Sequence, residues 1–209
     1  MAKFHIATNN PSKVDLVGEW LPKQSWAHDG VEAPELIASF HLDDPAGEVG
    51  MQVFAVRCGE HLYQVPLTYR SESLADSDEG LIGLMEHSTL GARYVYDGLA
   101  DSCFVSVLAG VAAIGYGQAL GFANHDGQFL AIPDEMLLRG SGMIGPKVRV
   151  DGFRRTPGGV ESETFRNGVI ELTFYRRLRE RPQRSGTLSA TWAGQEGFVP
   201  LVDIERIDG

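Results

Sequence analysis

The chain predicts an α+β protein in which an antiparallel sheet packs on a buried helix and a mostly β C-terminal part follows. Three observations predict it. Residues 103–114 are apolar on nearly every side, as a helix enclosed by the rest of a fold must be. From Phe40 to Tyr69 the apolar period shortens towards two, and Cys58-Gly59-Glu60-His61 offers a compact turn between two strands. Asn167-Gly168 sits between apolar flanks and is the strongest short hairpin signal in the chain.

Taken in order, Asn10-Pro11-Ser12 predicts a helix start, and Val14, Val17, Trp20 and Leu21 recur at helical spacing until Pro22 ends the pattern. Residues 27–39 read as irregular, with Pro34-Glu35-Leu36-Ile37 as a candidate edge segment. Val49 to Arg57 predicts a largely apolar strand, and Leu62 to Tyr69 predicts its returning partner. Pro66 places that second strand at an edge or a bulge, because proline cannot donate to a ladder. The polar, acidic run over 71–79 predicts a surface loop. Thr89 to Asp97 is strand-like and rich in tyrosine and valine. Asp97-Gly98 breaks it, and Asp101 or Ser102 can cap the buried helix lying across the sheet.

After about residue 120 the character shifts. Asn124-His125-Asp126-Gly127 is turn chemistry, Met143 to Val150 is strand-like, and Thr156-Pro157-Gly158-Gly159 reads as a loop. Strands are expected at 169–178, 186–193 and 198–206. A soft boundary near 120–140 therefore separates residues 1–120 from a β-rich tail over 121–209.

With 209 residues, 43% of them hydrophobic, the chain can bury a sizeable core. Cys58 and Cys103 are not spaced as a CxxC pair, so two reduced thiols are expected, with neither a disulfide framework nor a zinc site. No stretch is apolar for the roughly 20 residues a membrane helix needs, and the N-terminus lacks a secretory pattern, so cytoplasmic residence is expected. The net charge of −10 opposes nonspecific nucleic-acid binding. That charge is uneven, for residues 147–184 hold ten basic and five acidic side chains. Arg176, Arg177, Arg179, Arg181 and Arg184 fall there, either as a solvated strand end or as a contact for an anion or acidic partner.

Three blocks carry a family signature. They are Leu16-Val17-Gly18-Glu19-Trp20-Leu21-Pro22-Lys23-Gln24-Ser25-Trp26, then Tyr63 to Arg70, and then Gly83-Leu84-Met85-Glu86-His87-Ser88-Thr89-Leu90-Gly91-Ala92-Arg93-Tyr94-Val95-Tyr96-Asp97-Gly98. Together with Leu42-Asp43-Asp44-Pro45-Ala46-Gly47-Glu48 they resemble the maltokinase N-terminal cap family, over roughly residues 8–118. The likeness extends to stand-alone cap-like proteins often labelled glucan branching enzymes. It implies a cystatin- or monellin-like cap over 1–120, a curved sheet wrapped on a helix with a structural or regulatory role beside a sugar-kinase lobe. Phe165 to Arg177 resembles the hairpin of such a lobe, making the tail a candidate remnant of it. Glu171 and Leu172 stand where that hairpin would carry a phosphate-binding lysine, so kinase activity by this chain alone is not expected. Branching chemistry is not expected either. It needs paired carboxylates on a scaffold such as a (β/α)₈ barrel of about 250 residues, and no alternating strand–helix series is present.

The candidate ligand or partner contacts are His87, Arg93, Tyr96, Asp97, Trp20, Trp26, Arg176 and Arg177; no catalytic residue, metal ligand or cofactor is assigned. His87, with Glu86, Arg93, Tyr96 and Asp97 nearby, either binds a small polar ligand or fixes the turn into the sheet, with Arg93 paired to Asp97 or Glu86. Trp20 and Trp26 either stack on a sugar or staple the first helix to the core. None of the six histidines falls in a His-x-His or His-x-x-x-His pair. No Walker, GxGxxG or Gly-x-Ser-x-Gly pattern occurs. The resemblance implies a non-catalytic binding or regulatory protein, contacting a protein partner in α-glucan, trehalose or sugar-phosphate metabolism; the alternative is a small-carbohydrate-binding module.

Overall fold

A computed structural model describes residues 2–4, 8–27, 34–74, 78–114, 121–125, 128–132, 134–141, 148–182, 184 and 186–207. The elements in chain order are β1 (Ala2–Phe4), β2 (Asn9–Asn10), α1 (Lys13–Trp20), β3 (Glu35–Asp43), β4 (Gly50–Cys58), β5 (His61–Arg70), β6 (Leu81–His87) and β7 (Gly91–Asp97). They continue with α2 (Ser102–Ile114), β8 (Gly121–His125), β9 (Gln128–Ile132), β10 (Met136–Gly140), β11 (Arg154–Thr156), β12 (Ser162–Arg166), β13 (Ile170–Tyr175), β14 (Thr187–Trp192) and β15 (Val199–Arg206). The protein is mixed α and β, dominated by strands, with a curled half-barrel sheet.

Two six-stranded antiparallel sheets make up most of it. The first runs β2-β6-β7-β5-β4-β3 and the second β10-β14-β15-β13-β12-β11, while β1, β8 and β9 form a small third sheet. The first sheet is covered on both faces, so its central strands alternate between two apolar environments. Along β4, Met51, Val53 and Ala55 join the cluster containing α2, whereas Phe54, Val56 and Cys58 join the one containing α1. A strand buried on both sides reads as one apolar run, as β4 does.

The capping of α1 is encoded locally. Asp15 N–H donates to Ser12 Oγ at 3.2 Å and Ser12 N–H donates back to Asp15 Oδ2 at 3.2 Å, a reciprocal capping box. Leu16, Val17 and Trp20 are buried on the sheet, and Val14, Asp15 and Glu19 face out. For α2, Asp101 is the capping residue, with Cys103 N–H donating to its Oδ1 at 3.0 Å. Phe104, Val105, Leu108, Ala109, Ala112 and Ala113 are buried. The helix touches β3 of the first sheet and β10, β14 and β15 of the second, which explains its near-uniform apolarity.

Several expectations are corrected. Residues 35–39 are not irregular but part of β3, an edge strand, as the candidate edge segment at 34–37 anticipated. β5 lies between β4 and β7, but Pro66 is tolerated because the β7 pairing begins only at Leu67. β6 was hidden by Gly83 and by exposed Leu81 and Leu84, which interrupt the alternation. The strand expected at 143–150 lies partly outside the described residues, and 148–150 are not strand.

β5 also carries the link to the C-terminal part. Its first residues pair with the chain leaving β13, where Gln64 N–H donates to Arg176 O and Leu178 N–H donates to Leu62 O, each at 2.7 Å. The same apolar cluster runs from Phe40 and Val53 through α2 to Leu172, Leu188 and Leu201.

Candidate functional site

A cleft of about 940 Å³ opens where the first helix, the end of β7 and the β11–β12 connection meet. Its base is an ion cluster. Asp97 closes β7, Glu163 lies on β12 and Arg176 follows β13, so each is fixed by the end or register of a strand. Arg176 donates from Nη1 to Asp97 Oδ1 at 3.1 Å and from Nη2 to Asp97 Oδ2 at 2.5 Å, and its Nε donates to Glu163 Oε1 at 2.6 Å. Its guanidinium carbon lies 4.7 Å from the centre of the Trp26 ring, and only 1% of the residue is exposed. Burial alone would lower the Arg176 pKa; the charges of Asp97 and Glu163, with their hydrogen bonds, outweigh it and leave the pKa raised. Arg155 reaches the other Glu163 oxygen at 2.9 Å.

The remaining wall mixes aromatic and polar groups. Trp20 and Trp26 meet edge to face with centroids 5.7 Å apart, and Trp26 packs on Tyr63 at 5.8 Å. Pro157-Gly158-Gly159-Val160 forms the opposite rim, with Val160 81% exposed. Two of the acids at the base are thus clamped by guanidinium groups, a geometry suited to holding a scaffold together and poorly suited to moving protons. Among the described residues no group of three or more His, Cys, Asp and Glu is placed to hold a metal ion.

Of the eight candidates, Trp20, Trp26, Asp97 and Arg176 line this cleft together. Tyr96 lies beside it but is buried, and its hydroxyl accepts from Leu74 N–H at 3.0 Å, anchoring the loop after β5. Arg177 faces away from the cleft lining, with Nη1 donating to Glu161 at 2.8 Å and Nη2 to His61 Nδ1 at 2.8 Å. His87 and Arg93 are elsewhere, towards the turn of the β6–β7 hairpin. His87 Nδ1 accepts from Thr89 N–H and Leu90 N–H at 3.2 and 3.1 Å, which folds the turn. Arg93 donates to Ala92 O at 2.9 Å, and Asp97, four residues along the strand and so about 13 Å away, pairs with Arg176 and not with Arg93. Glu163 and Arg155 escaped the sequence reading, and Thr156 to Gly159 was read as a loop without a place at the site; the signal for Glu163 was charge inside Ser162-Glu163-Thr164-Phe165-Arg166.

The signature block is explained by the same geometry. Gly98 lies so close to Phe104 and Pro66 that an added Cβ would sit 2.9 Å from Pro66 Cβ and 3.1 Å from the Phe104 ring, so Asp97-Gly98 lets α2 approach the sheet. The first sheet thus carries one helix on each face. Residues 20–101 match the model of the maltokinase N-terminal cap domain, so this stretch is similar to that family. The match starts at Trp20 and ends at Asp101, the residue that caps α2. No curated protein matches the chain. No helix among the described residues is long and apolar enough to cross a membrane.

Proposed function

We propose that the protein is a non-catalytic, cytoplasmic cap-like module that works by binding a protein partner in sugar or α-glucan metabolism. The observation that carries this reading is the Arg176 clamp. At the base of the cleft, Asp97 and Glu163 are held by a buried guanidinium and cannot be spared for acid–base or nucleophilic work without leaving a charge uncompensated. The cap match over 20–101 supports the pathway assignment, because the matched family is named for its place at the N-terminus of maltokinases. The test uses a purified sugar-kinase body whose own cap has been deleted. A stoichiometric complex by calorimetry is expected; no complex with such a body, or turnover of maltooligosaccharides by the purified protein, defeats the proposal.

A second reading has its own observation. The cleft combines Trp20 and Trp26 with Arg155, Glu79 and Ser102, the mixture of aromatic and polar groups that a small carbohydrate uses. Arg176 already covers one Trp26 face, which weakens ring stacking there. A saturable rise in melting temperature with maltose or trehalose would favour this reading over the first.

A further inference from the structure

Charge accounting separates two arginine clusters. At the cleft, Arg155 and Arg176 face Asp97 and Glu163, cation for anion. On the loop leaving β13 the balance is different. Arg177 Nη1 lies 2.8 Å from Glu161 Oε1, Arg179 Nη2 2.9 Å from Oε2, and Arg181 Nη2 3.8 Å from that same oxygen. Three guanidinium groups therefore share one carboxylate.

The other nearby acids are committed elsewhere. Asp203 accepts from Tyr175 Oη at 2.5 Å and Thr187 Oγ1 at 2.9 Å, and Arg184 sits 3.4 Å from it and 2.8 Å from Glu205. Glu180, between Arg179 and Arg181 in sequence, is exposed and does not line the adjoining recess. The Arg181 guanidinium carbon lies 4.2 Å from the centre of the Tyr175 ring, and its buried Nε donates to no partner among the described residues. Burial and the neighbouring Arg179 charge both lower its pKa.

Beside these groups lies an open recess of about 390 Å³, lined by Gly159, Val160, Glu161, Ser162, Arg179 and Arg181. We infer that this recess is an anion site that takes a phosphate monoester dianion. Two guanidinium groups and a serine line the recess together, and a phosphate dianion, with twice the charge of a carboxylate and three acceptor oxygens, can engage all three. A dianion in the recess would also offset the repulsion between Arg179 and Arg181. The inference does not depend on the partner-binding reading: Gly159, Val160 and Ser162 also border the cleft, but Arg179 and Arg181 line the recess alone.

The test follows the Arg Nε–Hε signals by NMR in the full-length protein, titrated with inorganic phosphate and with phenyl phosphate at constant ionic strength. Saturable shifts centred on Arg179 and Arg181 in the millimolar range are expected, with sodium chloride giving none. Arg179 is half exposed, so R179Q should fold, and it should weaken binding by about tenfold or more. R57Q, altering an exposed arginine on the first sheet, should leave binding unchanged. Tighter binding of phenyl phosphate would point to an organic ester, and equal binding to phosphate itself; both support the site. Linear, unsaturable shifts, or equal affinity in R179Q and R57Q, would overturn it.

Discussion

Replacing Arg176 by methionine tests whether the ion cluster at the cleft holds the two sheets together. Methionine keeps much of the stem and its contact with Trp26 and Phe174, so the change removes chiefly charge and hydrogen bonds. What remains is Asp97, 7% exposed, and the partly buried Glu163, with their principal cation gone. Breaking a buried pair in this one-sided way costs about 3–5 kcal/mol. For a domain of this length that is a fall of roughly 6–20 °C in melting temperature, at about 2–4 °C per kcal/mol. Urea and thermal unfolding followed by circular dichroism would measure it. R57A, which breaks the exposed Arg57–Glu35 pair, is the internal control and should cost under about 1 kcal/mol. A double-mutant cycle with D97N, whose Oδ1 can still accept from Leu99 N–H, should show strong coupling to Arg176. If R176M costs no more than R57A, or the cycle shows no coupling, the clamp is not what joins the sheets.

Further outcomes follow from other sites. D101A should lose about 3 kcal/mol by urea unfolding, because Asp101 both caps α2 and receives two hydrogen bonds from Arg70 at 2.7 and 2.8 Å, whereas D101N should keep the cap and lose roughly half as much. Burial pushes the Lys13 amine down to about 8, so the folded state releases its proton before the unfolded chain does; stability relative to K13M should rise from about pH 8 to about pH 10.5, by at most about 3 kcal/mol, and a flat difference would refute it. Burial, then the charges of Asp44 and Asp101, push the Cys103 thiol up to about 11, and burial pushes Cys58 up, so both should react slowly with a disulfide reagent at pH 8 and quickly once urea unfolds the chain. G186A should fail to give soluble folded protein, because its Cβ would fall 1.9 Å from the backbone oxygen of Ile204.

What could be read from the sequence was local. The Ser12–Asp15 box, the near-uniform apolarity of 103–114, the Asn167-Gly168 turn and the strands at 170–175, 187–192 and 199–206 each depend on neighbours a few residues away. Asn167 shows why, since its Oδ1 accepts from Val169 and Ile170 N–H within the turn itself, although its Nδ2 also donates to Arg149 O and Asp151 O. The site was less legible because it is made of distant pieces. Trp26, Asp97 and Arg176 each carried a signal as separate residues, but nothing along the chain says that the third stacks on the first and clamps the second. His87 and Arg93 drew attention by closeness in sequence to Asp97, and an extended strand then carried them to its far end. The paired status of the arginine run was equally hidden, because Glu161 and Asp203 approach it through the antiparallel register and not through sequence.

The backbone splice between Gln64 and Arg176 bears on how the molecule is made. During synthesis the early strands emerge long before their last neighbour exists, so the start of β5 waits as a bare hydrogen-bonding rim and α2 has apolar surface with nothing over it. A ribosome-stalled fragment ending after α2 should therefore cling to chaperones, and release should come only when the residues after β13 have cleared the exit tunnel.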